Sequence, residues 1–237
     1  MDYFEFKQFR IYHDKCAMKV GTDGVLLGAW AKVDQARRIL DIGCGSGLIA
    51  IMAAQRCGSE TEIVGLEIDA AAAAQAAENA VASPFGDHIK IIQGDVKKFQ
   101  PDAPFDCIIT NPPFFVETTL SPNAQRAMAR HTDTLSYEAL VVNAKRLMRP
   151  DADFQLIVPY ANAKTIKSLC ALHGLSLARQ TDVATKVGAT PKRSLLHFVN
   201  NIAATKPVQD ILTIRDGDGQ QTAAYKALTA DFYLEKP

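Results

Sequence analysis

Arg38-Ile39-Leu40-Asp41-Ile42-Gly43-Cys44-Gly45-Ser46-Gly47-Leu48-Ile49-Ala50-Ile51-Met52-Ala53-Ala54 reads as a short buried strand, a glycine turn and an alanine-rich helix. An apolar run of strand length, broken by glycines and followed by a helical pattern, is the opening βα unit of a dinucleotide-type fold. Glycine serves in such a turn because the backbone must turn tightly and let a ligand approach closer than a Cβ would allow. The spacing discriminates between ligands. A pyrophosphate fingerprint needs G-x-G-x-x-G with the helix N-terminus presented to phosphate, whereas Gly43, Gly45 and Gly47 run G-x-G-x-G.

Outward from that unit, strands are predicted at 39–43, 63–67, 89–93, 106–110, 153–159, 176–186 and 195–201. Helical patterns at 47–57, 70–82, 136–148 and 161–173 alternate with the early strands, which gives an α/β, Rossmann-like architecture with a seven-stranded, mostly parallel sheet. The last two strands are separated only by the turn Gly188-Ala189-Thr190-Pro191-Lys192-Arg193, so they are expected as an antiparallel hairpin at one edge. A tail follows, with an extended piece at 208–214, a turn at Asp216-Gly217-Asp218-Gly219 and a short helix near 221–230. That turn lacks the remaining ligands and the terminal Glu of a calcium loop.

A chain of 237 residues can bury a substantial core as one domain. Its 48% hydrophobic and 22% charged residues are those of a soluble globular protein, and no apolar run approaches the roughly 20 residues of a membrane helix. The N-terminus, Met1-Asp2-Tyr3-Phe4-Glu5-Phe6-Lys7, has acids and no apolar core of a signal peptide, so a cytoplasmic location and no membrane partner are expected. Five cysteines without a Cys-x-x-Cys pair argue for reduced thiols, and with five scattered histidines no metal site is expected. The formal net charge is zero, which speaks mildly against nucleic acid gripped by charge alone. Two local clusters, Arg126, Arg130 and His131, and Lys192 with Arg193, are candidates for phosphate contact or simply solvated surface.

Asn111-Pro112-Pro113-Phe114 directly follows the apolar stretch Cys107-Ile108-Ile109-Thr110. Proline fixes its own φ and drives the preceding residue to extended geometry, so the turn is stiff. The Asn111 side-chain oxygen and the Pro112 carbonyl can each accept one hydrogen of an exocyclic NH2, while Phe114 stacks on the ring that carries it. The plainer reading is a loop that contains two prolines. About twenty residues past the glycine turn, the strand Glu62-Ile63-Val64-Gly65-Leu66-Glu67-Ile68-Asp69 ends in two carboxylates. Glu67 is assigned to ribose hydroxyls, which a carboxylate can accept from together. Asp69, one residue before the run Ala70 to Ala82, is assigned as its N-cap. Asp95, after the strand His88 to Gln93, is placed either to accept from an adenine amine or to stabilise a turn.

The glycine spacing resembles that of S-adenosylmethionine-dependent methyltransferases, and the chain as a whole is similar to the bacterial tRNA1(Val) adenine-37 N6-methyltransferases. The part most particular to that family is Phe9-Arg10-Ile11-Tyr12-His13-Asp14-Lys15-Cys16-Ala17-Met18-Lys19-Val20-Gly21-Thr22-Asp23-Gly24-Val25-Leu26-Leu27-Gly28-Ala29-Trp30, and the tail Asp231-Phe232-Tyr233-Leu234 resembles the family's ending. The Asp-Ile-Gly-Cys-Gly-Ser-Gly and Asn-Pro-Pro-Phe motifs are shared with many amino-group methyltransferases. The resemblance implies S-adenosylmethionine as cofactor, tRNA as partner and no obligate protein partner. It implies one domain, with 1–36 covering the cofactor, 37–202 as core and 203–237 as a C-terminal extension.

The expected cofactor contacts are Lys19, Thr22, Asp23, Asp41, Gly43, Gly45, Gly47, Glu67, Asp95 and Asn111. Lys19 and Asp23 would flank the methionine end with opposite charges, and Thr22 or Asp23 alternatively caps a helix from Val25 to Ala31. Asn111, Pro112 and Phe114 are the expected catalytic groups. Three rivals remain. A glutamine N5-methyltransferase of release factors would offer a carboxamide to the same acceptors, but usually carries Tyr after the prolines and a helical N-terminal domain. A guanine N2-methyltransferase of ribosomal RNA shares the motif, many with a duplicated domain. A non-catalytic adenine-nucleotide sensor would have no use for Asn111.

Overall fold

The computed structural model describes residues 2–113, 135–201 and 206–234. Its main sheet has eight strands: β3 (Arg38–Ile42), β4 (Glu62–Glu67), β5 (Ile89–Gln93), β6 (Phe105–Thr110), β7 (Met148–Pro159), β8 (Ser176–Lys186), β9 (Arg193–Val199) and β10 (Val208–Arg215). The spatial order is β10-β8-β9-β7-β6-β3-β4-β5. A separate two-stranded hairpin pairs β1 (Tyr3–Glu5) with β2 (Arg10–Tyr12). The described helices are α1 (Thr22–Trp30), α2 (Leu48–Arg56), α3 (Ala70–Ala82), α4 (Tyr137–Leu147), α5 (Ala163–Leu172) and α6 (Ala223–Thr229).

The chain enters at β3 and steps outward through β4 to β5, then jumps back to β6 on the other side of β3 and steps the opposite way. Right-handed crossovers then put the connecting helices of the two halves on opposite faces. One face buries Leu26, Trp30, Ile49, Ala53, Ile109 and Tyr225, from α1, α2, β6 and α6; the other buries Leu140, Ala144, Ile166 and Cys170, from α4 and α5. The β1–β2 hairpin adds a third cluster, in which Phe6, Phe9 and Ile11 pack on Val25, Ile51 and Met52 and meet Phe232 from the tail. The family-like ends of the sequence therefore lie together against α1 and α2.

Two expectations need correction. The extended piece at 208–214 is an eighth sheet strand, because β10 pairs in parallel with β8 along its length. The β8–β9 hairpin therefore does not form the sheet edge. β9 lies antiparallel between β7 and β8, and β10 covers the outer side of β8. The tail's polar pattern concealed a strand in which only Leu212 is buried. Second, α1 starts at Thr22 with extended Gly21 as its N-cap and no side-chain cap bond, so neither Thr22 nor Asp23 caps it. Both occupy its first turn.

Helices α1 and α2 lie side by side and run in the same direction. A Cβ at Gly24 would stand 3.1 Å from Leu48 Cδ2, and one at Gly28 would stand 2.6 Å from Met52 Sδ and 3.0 Å from Met52 Cβ. The matching four-residue steps bring both N-termini to one end of the sheet. Gly28→Ala should therefore overpack the interface and cost about 1–3 kcal/mol in urea unfolding. The double variant Gly28→Ala/Met52→Ala should lose less than the sum of the single losses; strict additivity would show that the two helices are not in close contact there.

Candidate active site

Where the strand order reverses, two neighbouring parallel strands send their connections to opposite sides and leave a crevice beyond their carboxyl ends. Here those strands are β3 and β6, in the register Ile39↔Cys107, Leu40↔Ile108 and Asp41↔Ile109. Continued by two residues, that register brings Asn111 beside Gly43. The Thr110 hydroxyl locks it by donating to the Ile42 carbonyl at 2.8 Å. The glycine turn and the Asn-Pro-Pro turn, 68 residues apart in sequence, thus share one rim.

The glycine turn is held open from below. The Gly43 and Cys44 N–H groups both donate to the Leu66 carbonyl at the end of β4, at 2.8 and 3.2 Å. Gly43, Gly45 and Gly47 have φ of 69°, 54° and 81°, the left-handed region that side chains avoid. Nothing lies within 4 Å of a Cβ built at Gly43 or Gly45, so their surroundings leave space for a ligand. Helix α2 starts at this turn with left-handed Gly47 as N-cap and no side-chain cap bond.

Glu67, 9% exposed, ends β4 beside the turn. Its Oε2 accepts from the Gly45 N–H at 2.8 Å and its Oε1 from the Asp69 N–H at 3.0 Å. Each oxygen keeps a lone pair to offer, so the carboxylate is aimed yet still able to accept from a diol. Asp69 itself accepts from the Ala72 N–H at 2.8 Å and caps α3. Asp95 lies just past β5, with Oδ1 accepting from the Lys97 N–H at 2.9 Å in a turn. The turn role and a contact through its other oxygen are compatible.

Two acceptors in this crevice have no partner among the described residues. Both carboxylate oxygens of Asp41, 1% exposed, lack a hydrogen bond, and so does the buried amide oxygen of Asn111. Burial pushes the Asp41 carboxyl from the ordinary 3.8 up to about 7. The Ala50 backbone N–H opposes that rise without completing a hydrogen bond, and the Glu67 charge adds to it. A buried unsatisfied polar group costs about 1–3 kcal/mol, so two such groups at one crevice are a specific fit for a ligand that brings donors. Pro112 is buried and Pro113 exposed, so the turn is anchored on one side.

The remaining expected residues are placed differently. Lys19 is ion-paired with Asp2, and Asp23 with Arg193 at 2.7 Å. The two charges expected to flank an amino acid moiety are thus each engaged by another partner. Thr22 is exposed in the first turn of α1. Lys192 is exposed at the start of the β9 hairpin strand, its carbonyl accepting from the Tyr160 N–H at 3.1 Å. Phe114, Arg126, Arg130 and His131 lie outside the described residues. Sequence reasoning passed over Asn79 and Cys16. Asn79 sits in an alanine-rich helix where a lone polar residue reads as surface, and Cys16 lies in a segment without periodicity. Burial pushes the Cys16 thiol up, and the charges of Glu67, Asp69 and Asp14 add to that rise.

The sequence matches the family described as Methyltransferase small domain over residues 18–157. A tRNA1(Val) (adenine(37)-N6)-methyltransferase of Bacteroides thetaiotaomicron is 47% identical over 233 residues, covering 98% of this chain and 97% of that one. The protein of the same name from Dickeya chrysanthemi is 43% identical, covering 98% and 94%. Among solved structures, a predicted O-methyltransferase from Agrobacterium tumefaciens superposes with a TM-score of 0.68 at 20% identity, covering 89% of this chain and 96% of that chain. An O-methyltransferase from Bacillus cereus, solved with S-adenosylhomocysteine (SAH), gives 0.55 at 19% identity, covering 77% and 83%. These two likenesses establish the fold.

The raised Asp41 carboxyl fixes a sign for pH dependence. Between the ordinary carboxylate range and about pH 7 the folded chain holds more protons at this site than the unfolded chain, so stability falls as pH rises through that window. Urea unfolding of the ligand-free protein should therefore show a loss between pH 5 and pH 8, on the order of a few kcal/mol at most, that Asp41→Asn largely abolishes. Equal pH slopes in the two proteins would contradict the assignment. With 43–47% identity over nearly the full length, a matching methyltransferase domain and the shared fold, the chain belongs to the tRNA1(Val) (adenine(37)-N6)-methyltransferase family.

Proposed function

We propose that this chain methylates N6 of adenosine 37 in tRNA1(Val), next to the anticodon, with S-adenosylmethionine as donor. The unpartnered Asn111 amide oxygen beside the glycine turn carries the amine-methylation part of this reading, and the target adenosine rests on the likeness to the relatives. When bound, the cofactor supplies a methyl group already activated on a sulfonium. The chain's task is to place and tune the nucleophile.

Glu67 accepts from the ribose hydroxyls, held by the Gly45 and Asp69 N–H groups. Asp95 accepts from the cofactor adenine amine through the oxygen its turn leaves over. Gly43 and Gly45 leave room for the cofactor, Gly47 keeps the turn close to Ala76 of α3 and offers its backbone to the cofactor, and Asp41 takes up hydrogen-bond donors from the methionine end. Lys19, Thr22 and Asp23 lie on the N-terminal segment and the first turn of α1, and they contact that end once Lys19 and Asp23 exchange their present partners Asp2 and Arg193. Residues 1–36 in this reading cover the cofactor, 37–202 form the core and 203–237 extend it, as one domain.

An adenine amine is a poor nucleophile because its lone pair is delocalised into the ring. Asn111 Oδ1 and the Pro112 carbonyl each accept one amine hydrogen and strengthen those bonds as positive charge develops on nitrogen, which favours the transition state over the ground state. Held in this way, the amine nitrogen would accept the methyl group that the sulfonium supplies, leaving the neutral thioether, and its extra proton would pass to water. Phe114 stacks on the target base, worth about 1–3 kcal/mol by analogy with other aromatic platforms. Arg126, Arg130, His131, Lys192 and Arg193 are proposed phosphate contacts.

The rivals are separated by product. Incubation with labelled cofactor and separate pools of unmodified tRNA, ribosomal RNA, DNA and release factor, followed by digestion, should place the label in N6-methyladenosine from tRNA alone. Label in glutamine, guanine or nothing would select the release-factor, ribosomal or sensor reading. Asn111→Ala should lower kcat by about a hundredfold or more, the loss typical of one preorganised transition-state partner, with SAH affinity by calorimetry changed far less. Equal damage to both would move Asn111 from the reaction to cofactor binding.

A further inference from the structure

Asn79, on α3, is completely buried at 0% exposure. Its Oδ1 accepts from the Tyr12 N–H at 3.0 Å, and its Nδ2 donates to the Tyr12 carbonyl and to the Ser46 carbonyl, each at 2.8 Å. One amide group thus grips both main-chain groups of a residue in the N-terminal segment and a carbonyl of the glycine turn. One helical turn earlier, Gln75, 2% exposed, accepts from the Lys15 N–H at 3.4 Å. The Lys15 ammonium reaches Glu78 of the same helix at 2.7 Å. These contacts fix residues 12–15 on α3, and the next residue, Cys16, lies within electrostatic reach of Glu67.

A short segment without a strand partner, such as residues 13–20, has no backbone ladder to hold it. Ordering it at the moment of ligand binding would consume binding energy, whereas ordering it beforehand leaves that energy for affinity. We propose that Asn79 is a positioning residue for the cofactor: it clasps the 12–20 segment to the glycine turn and so presets the crevice between Ser46 and Glu67. This rests on the reading of that crevice as the S-adenosylmethionine site. A purely structural side chain of the same kind provides the comparison. Gln155, 1% exposed on β7, grips the backbone of Lys32 through the same pair of bonds, accepting from its N–H at 2.7 Å and donating to its carbonyl at 2.8 Å.

The test measures SAH binding by calorimetry and hydrogen exchange of residues 12–20, for wild type, Asn79→Leu, Asn79→Ser and Gln155→Leu, at a temperature where all are folded. Both Asn79 variants should bind SAH at least tenfold more weakly and exchange faster across 12–20. Gln155→Leu should lose melting temperature yet bind SAH within twofold of wild type. In the wild type SAH should slow exchange across 12–20. Wild-type affinity in an Asn79 variant, or equal losses in the Asn79 and Gln155 variants, would overturn the positioning role. Should neither Asn79 variant fold, absence of SAH protection across 12–20 in the wild type overturns it, and protection there supports it. Failure of the wild type to bind SAH at all would remove the cofactor reading, and this inference with it.

Discussion

The pairing of β3 with β6 is the constraint on which the site depends. Each strand ends in a turn that cannot continue the sheet, the first because its glycines take left-handed angles and the second because Pro112 and Pro113 lack N–H groups. Parallel pairing in the observed register stops both at one level, and the Thr110 hydroxyl on the Ile42 carbonyl prevents a slip. A one-residue shift would turn Asp41 and Ile109 to the opposite faces and separate the two turns. The acceptors of the site are therefore fixed by main-chain geometry rather than by long flexible side chains.

The crevice also shows where stability has been given up. Asp41 and Asn111 each bury oxygens that nothing described in the chain satisfies, which costs stability that a satisfied or apolar group would not. Among the neighbouring polar groups, Asn79 is fully engaged by three main-chain groups, whereas Glu67 is aimed by two N–H groups and keeps a lone pair on each oxygen. Asn79 holds the frame, while Asp41, Asn111 and the remaining lone pairs of Glu67 face the crevice as acceptors.

Much of this was legible in the sequence because local signals and tertiary outcome agree. The α3 span from Ala70 to Ala82 and the β8 span from Ser176 to Lys186 coincide with their patterns, since Asp69 caps the one and turn residues bound the other. Glu67 and the glycine turn were readable as a pair because their separation is set by one βα unit. Long-range choices were not. Nothing in Asn79 announces that its amide reaches back 67 residues to Tyr12, and nothing local in Lys19 or Asp23 tells which of several opposite charges the fold will supply. β10 escaped because Leu212 alone is buried in this edge strand, while Val208 and Ile211, on opposite faces, are both exposed and leave no alternation to read.

The central claim is that donors from the cofactor and the substrate base fill the orphaned acceptors at the β3–β6 crevice. A crystal structure with SAH and an adenosine-bearing anticodon-loop oligonucleotide tests it most directly. The account predicts ligand hydrogen bonds to Asp41 and to Asn111 Oδ1, with the target amine between Asn111 and the sulfur. A complex in which those oxygens remain without partners, or in which the Asn111 turn faces away from the sulfur, would contradict it.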